Sequence, residues 1–390
     1  MLKISSAPTF STKIAQAGGR AAGFDNLRIA LAFGVVLWHA FPISYGSVAA
    51  IGFYNGPFGP AVAIILPMFF ALSGFLVAGS LERNPSLIRY TSLRVLRIVP
   101  ALTVEVVVSS MIVGPILTTL PLREYFSNSE FYLYFLNIVG WIHYKLPGMF
   151  PDNPLPYVVN SQLWTIPFEI KSYALLALMA AVGLVSKRRV FLLVAIAMQV
   201  ALIAVEVVPR VLAHEIIPPN DSMFSGRMLV MSFLSGVAMF LYRDTLRHSG
   251  VIAAACGVLC VVLFRWQFGA YFVAFPAAYL TAYLGLLNWK WSATSKVGDF
   301  SYGVYLYSAV SQQIIASFGP WTHHWYINFT IALPLVTLFA AASWYGIERP
   351  ALGLRKHLWI FDRMDAVLET WAVRARAWPR RTFARSGVDV

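Results

Sequence analysis

Arg28 and His39 lie eleven residues apart in the apolar stretch FDNLRIALAFGVVLWHAFPISYG, which is otherwise long and apolar enough to cross a bilayer. Ionisable side chains are costly in such a span and mark function there. Eleven residues is almost a whole number of helical turns, so the two share one face, with His39 about 16 Å further along the axis. That spacing suits a long substrate held at one end and reacted on at the other. Histidine is the usual general base at neutral pH and can take the proton of an attacking hydroxyl. Arginine can hold an anionic donor and offset charge that develops in the transition state.

Three more constellations carry chemistry. In RYTSLRVLRIVP, Arg94 and Arg97 fall one turn apart ahead of Pro100, where they are expected at the cytosolic mouth of a span. Paired guanidinium forks suit phosphate groups; the plain alternative is that they only set topology. In LWTIPFEIKSYALL, Glu169 and Tyr173 share a helix face about two turns from the outer end of a span. A carboxylate there needs a partner or a wet cavity. Lys171 points elsewhere and can snorkel outward. In GDFSYGVYLYSAVSQQ, Ser301, Tyr302, Tyr305, Ser308 and Gln312 recur at helical spacing, either as a site or as hydrogen-bonding glue between helices. HExxH, Walker, GxGxxG and GxSxG patterns are all missing, so no metal site is expected. The set fits group transfer from a cytosolic phosphate-bearing donor to an acceptor reached from the other face. A proton-coupled carrier, with His39 and Glu169 as relay groups, is the alternative.

The elements that hold these residues are membrane helices. Hydrophobic residues make up 58% of the chain and charged residues 12%, with a mean hydropathy of +0.67. The fold class is therefore all-α, a polytopic integral membrane protein. Hydropathy divides it into ten spans, near 27–46, 61–80, 100–120, 163–185, 190–208, 226–243, 251–267, 270–287, 302–318 and 326–347. The segment from Phe131 to Tyr144 is too short to cross and precedes a proline-rich loop. With ten spans, 24 of the 30 Lys and Arg lie on one side, five on the other, and Lys171 within a span. The positive-inside rule then puts both termini in the cytosol. The net charge of +13 thus reports topology, and no nucleic-acid partner is expected. Cys256 and Cys260 share a helix face and read as packing residues rather than a disulfide framework.

Outside the membrane, the long connection from Pro121 to Gln162 presents Trp141, Tyr144 and Tyr157, as an interfacial belt or a sugar-stacking surface. A polar tail, 1–23, lacks a cleavage site after the first apolar run, which reads as a retained span. The last residues, 357–390, interleave Arg374, Arg376, Arg380, Arg381 and Arg385 with Trp371 and Trp378, as expected of a tail lying on anionic lipid.

These residues also resemble a known family, the membrane-bound acyltransferase-3 proteins, in order from about Phe24 to Lys356. DNLRIALAFGVVLWH is similar to their opening D-x-L-R and Arg-x10-His elements, through Asp25, Leu27, Arg28 and His39. PMFFALSGFLVAGSL matches the FF-x-x-SGF core with Phe69, Phe70, Ser73, Gly74 and Phe75; Arg94 and Arg97 match an Arg-x-x-Arg motif. LWTIPFEIKSY resembles the element supplying Leu163, Trp164, Glu169 and Tyr173. FSYGVYLY and IERP match later elements through Ser301, Tyr302, Tyr305, Glu348, Arg349 and Pro350. One departure is Ser308, where many members carry His. Another is that the soluble SGNH esterase-like domain fused to some members has no counterpart in this sequence.

The resemblance implies a transmembrane acyltransferase domain over residues 24–356. It would move an acyl group, usually acetyl from acetyl-CoA, onto a hydroxyl of a bacterial surface or secreted glycan, at the inner membrane. Acyl-CoA is then a co-substrate, with no permanently bound cofactor; the other partners are a free or lipid-linked glycan and the bilayer. His39 and Glu169 are the expected catalytic pair, with Glu169 acting from the outer side, and Arg28, Arg94 and Arg97 bind the donor. Ser73, Trp164, Tyr173, Ser301, Tyr302 and Tyr305 support the site.

Overall fold

Inside a bilayer a backbone must satisfy its own polar groups, and this chain does so with helices. The computed structural model describes residues 7–19, 21–84, 86–215, 225–287, 289 and 298–357. The basic, Trp-containing tail expected beyond them, and residues 1–6 and 20 of the polar start of the chain, lie outside the described residues. The longer helices are α1 (Ala22–Asn55), α2 (Ile65–Arg83), α3 (Leu87–Val108), α4 (Ile166–Ala181) and α5 (Arg188–Glu206), followed by α6 (Gly226–Leu241), α7 (Gly250–Leu263), α8 (Ala274–Gly285), α9 (Ser301–Ala316) and α10 (Trp325–Ser343). Each falls on one of the spans expected from hydropathy.

Among the described residues, six helical stretches, those containing α1 to α5 and α10, are long and apolar enough to cross a membrane; α6 and α7 are apolar but shorter. The structure thus supports a polytopic membrane fold, with six helices rather than ten meeting the full requirement. The other four are 12 to 16 residues long, and α9 shows how such a helix is accommodated. Every residue of it except Ile314 is buried, so the protein surrounds it and its polar side chains never meet lipid. Such a helix needs no apolar outer face.

Two elements differ in detail from the hydropathy reading. The third helix starts at Leu87, where the Ser86 side chain caps it by accepting from the Arg89 N–H at 3.1 Å. Arg94 and Arg97 therefore sit within the helix rather than ahead of it, and Pro100 lies inside it. The first helix runs on to Asn55 but turns at Gly46, whose φ of 81° is open to glycine and places it against the Pro154 carbonyl. The segment 131–144 behaves as expected: a helix ending at Tyr134 and a 3-10 turn over Phe135–Val139 are both too short to cross.

Close helix packing fixes the frame around α2. A Cβ on Gly74 would strike the Phe233 carbonyl of α6, and one on Gly236 the Ala71 carbonyl of α2. Helices α1 and α2 run antiparallel, since Phe24 stacks on Phe75 at 5.1 Å and Gly34 meets Ile65. The Arg243–Glu82 pair at 2.7 Å joins the ends of α2 and α6. Arg28–Asp299 joins the starts of α1 and α9 at that same end of the bundle.

The expected topology is checked by cysteine labelling in a Cys256→Ala/Cys260→Ala background. Asp152→Cys, on an exposed stretch of the long connection, is expected to react with an impermeant maleimide added outside. Ser186→Cys, also exposed, is expected to react only after permeabilisation. The reverse pattern would invert the orientation. Asn153 is unsuitable as a probe, because it is buried and donates to Gln313.

Candidate active site

A cavity of about 390 Å³ opens among α1, α2, α3, α4 and α9. Its wall on α2 runs from Leu66 to Ser80 and on to Asn84, eighteen residues or about 27 Å of helix. Arg28, Arg89, Arg94, Arg97 and Arg355 line it, as do Ser73, Thr165, Glu169, Tyr173, Ser301, Tyr302 and Tyr305. Nine of the eleven side chains expected at the site therefore share one cavity: Arg28, Arg94, Arg97, Glu169, Tyr173, Ser73, Ser301, Tyr302 and Tyr305. His39 and Trp164 are not among its lining residues. Trp164 is half-buried and packs edge-on against Phe168 at 6.2 Å.

The arginines differ sharply in their partners. Arg28 meets Asp299 at 2.5 Å; Arg97 meets the same carboxylate at 3.1 Å and Glu348 at 3.3 Å. Asp299 is held in turn by the Ser301 hydroxyl at 2.6 Å, and the Arg97 guanidinium lies over the Tyr302 ring at 5.4 Å. Arg94 has no ion pair with a carboxylate of the described residues and rests on the Tyr173 ring at 5.6 Å. Its charge is the one of the three left for a ligand.

Glu169 projects from the first turn of α4 into this cavity. Its Oε1 accepts from the Tyr173 hydroxyl at 2.6 Å, and that hydroxyl also bonds to Ser73 Oγ at 3.0 Å. Tyr90 donates to the Tyr173 carbonyl at 3.2 Å and ties α3 to α4. The carboxylate expected on the acceptor side thus stands with the arginines, at helical spacing from Tyr173, and no contact joins it to His39 among the described residues.

His39 is buried in α1, 8% exposed. Its Nδ1 lies 2.9 Å from the Val35 carbonyl, which requires the proton on Nδ1 and leaves Nε2 with its lone pair free among the described residues. Because Gly34 is level with Ile65, His39 stands about 7 Å past the α2 residues where the cavity wall ends. A neighbouring turn of α1 is gripped from α9, where Gln312 donates to the Val36 carbonyl at 2.9 Å.

Sequence reasoning did not find Asp299 and Glu348 as counter-ions, although both lie in stretches singled out there. Their partners are 202 to 271 residues away, a distance no local pattern reports. Ser308, Gln312 and their neighbours prove to be structural glue. Gln162 donates to Ser308, and the Gln162 Oε1 accepts from the Ala309 N–H at 3.1 Å. No group of three or more His, Cys, Asp or Glu among the described residues could hold a metal ion.

Comparison with known proteins agrees with this architecture. Residues 21–348 match the family described as "Acyltransferase domain", the acyltransferase-3 family. The O-acetyl transferase of Shigella phage Sf6 is 23% identical over 342 residues, which cover 84% of this chain and 94% of that protein. Nodulation protein 10 of Rhizobium leguminosarum bv. viciae is 26% identical over 381 residues, covering 87% and 95%. No solved structure matches the chain. With five-sixths of its length matched, and with nine of the eleven expected side chains gathered in one cavity of a helical membrane domain, the chain belongs to the acyltransferase-3 family and is an acyltransferase.

Proposed function

We propose that the protein transfers an acyl group, acetyl first among them, from acyl-CoA to a hydroxyl of a surface or secreted glycan at the bacterial inner membrane. The observation that supports this reading is the long cavity with an arginine-lined end. Its arginine end faces the cytosol, as the positive-inside rule requires. Arg94 takes donor phosphate with its fork, while Arg28 and Arg97, held by Asp299 and Glu348, shape the wall. The pantetheine arm lies along α2 past Tyr173 and Glu169. The thioester then reaches the end of the cavity nearest His39.

There the chemistry balances without a cofactor. His39 Nε2 removes the acceptor hydroxyl proton as the oxygen attacks the thioester carbonyl carbon; the C–S bond breaks, and the protonated imidazole returns its proton to the departing thiolate. The Nδ1 bond to Val35 keeps the ring in the tautomer this requires. The Sf6 phage relative is named an O-acetyl transferase, which is consistent with an oxygen acceptor.

Membrane vesicles carrying the protein, given radiolabelled acetyl-CoA, are expected to release free CoA and to label glycan. Glycan transport without CoA release would favour a carrier instead. His39→Gln and His39→Ala should reach the membrane in normal amount and lose transfer by about 10²- to 10⁴-fold. Turnover near wild type in either variant would remove His39 as the base.

The two classes of arginine should separate in kinetics. Arg94→Lys is expected to raise the donor KM about tenfold or more, with the acceptor KM unchanged, because a point charge cannot replace the fork. Asp299→Asn, in contrast, leaves two half-buried guanidiniums without the carboxylate they share and should lower stability in detergent by about 3 kcal/mol. An unchanged donor KM in Arg94→Lys would leave that residue a topology signal alone.

A further inference from the structure

Glu105 is a carboxyl that the mechanism does not use. It lies in α3, eight residues or about 12 Å beyond Arg97, is fully buried, and pairs with no Lys, Arg or His of the described residues. A carboxyl in that place is expensive, and an apolar side chain in so apolar a helix segment would avoid the expense. Its use must lie in what it holds.

One oxygen does all the holding. Oε1 accepts from Ser109 Oγ at 2.8 Å and from Asn160 Nδ2 at 2.8 Å, while Oε2 has no partner among the described residues. The second hydrogen of the Asn160 amide goes to the Leu306 carbonyl of α9, also at 2.8 Å. Asn160 is thereby pinned between α3 and α9. Two residues on, the Gln162 carbonyl accepts from the Tyr305 hydroxyl at 2.6 Å, and Tyr305 also bonds to Thr165. Tyr305 and Thr165 line the cavity, and Glu169 follows one turn after Thr165.

We propose that Glu105 is a positioning residue for acyl transfer: through Asn160 it sets the 160–165 segment against α9, and so fixes where Thr165, Tyr305 and Glu169 stand in the cavity. This rests on the acyl-transfer reading above. The part required of Glu105 is a hydrogen-bond acceptor of carboxyl shape. It does not touch the donor, and the arginine end of the cavity is built without it.

Vesicles with wild type, Glu105→Gln, Glu105→Leu, Asn160→Ala and Glu105→Leu/Asn160→Ala are compared for transfer from radiolabelled acetyl-CoA, with turnover normalised to membrane-inserted protein. Glu105→Gln, whose amide oxygen accepts the same two bonds, should retain wild-type kcat. Glu105→Leu should lose about a hundredfold in kcat with the donor KM unchanged. Asn160→Ala should lose as much, and the double variant no more than either, because the two act as one unit. If Glu105→Leu fails to accumulate, Glu105→Asp, one methylene shorter, carries the same comparison. Wild-type kcat in Glu105→Leu, a loss in Glu105→Gln equal to that in Glu105→Leu, or additive losses in the double variant would each overturn the positioning role. Absence of transfer by wild type itself would overturn the acyl-transfer reading.

Discussion

The network Arg28–Asp299–Arg97–Glu348 is the constraint on which the site depends. Charges inside a bundle of low dielectric persist only in pairs, and a pair holds the elements that carry it in one register. Here Arg28 belongs to α1, Arg97 to α3, Asp299 to the residues that lead into α9, and Glu348 to the turn that follows α10. Two cations face two carboxylates, so the network is neutral and spends its positive charge on architecture. What remains positive in the cavity is therefore set by the arginines outside the network, with Arg94 deepest among them on the Tyr173 ring.

Around that charged end, a second set of bonds holds the opposite half of α9. The returning connection lies along the helix and is stitched to it at Gln313 by Asn153, Leu155 and Val158, at Leu306 by Asn160, and at Ser308 and Ala309 by Gln162. An irregular chain can remain among buried helices only if its polar groups are met this way. The polar content of α9 is thus explained first by its neighbours, and its hydroxyl side chains reach the cavity only at Ser301, Tyr302 and Tyr305.

The helices were legible because apolar runs and charge asymmetry are local in sequence. So was the grouping of Arg94 with Arg97 and of Glu169 with Tyr173, since one helical turn relates each pair. Three matters were not legible. The ion-pair partners Asp299 and Glu348 are remote in sequence. The depth of Arg94 and Arg97 followed from a cap at Ser86, which moved the helix start by about three turns and put the motif inside the wall. The placement of Glu169 in one cavity with the arginines could not be read from its distance to the helix end, because the cavity extends along α2 as far as that first turn of α4. Glu105 did leave a signal, a lone carboxyl in the apolar run VEVVV, but its partner Asn160 is 55 residues away and no local pattern names it.

The offset of His39 from the cavity has a chemical consequence. A base placed beside the thioester in a wet cavity would activate water as readily as an alcohol, and the donor would be hydrolysed. His39 is instead buried in α1, with its Nδ1 committed to Val35, about one and a half turns beyond the end of the cavity wall. On the acyl-transfer reading proposed above, donor and base would have to meet beyond the Leu66 end of the cavity wall, where Phe69 and Tyr305 face one another at 6.3 Å. An acceptor arriving there from the side of the long connection would, on the same reading, complete the site and exclude water in the same act. On that reading, specificity for the acceptor and protection of the donor would have one structural origin, the distance between the arginine-lined cavity and the histidine.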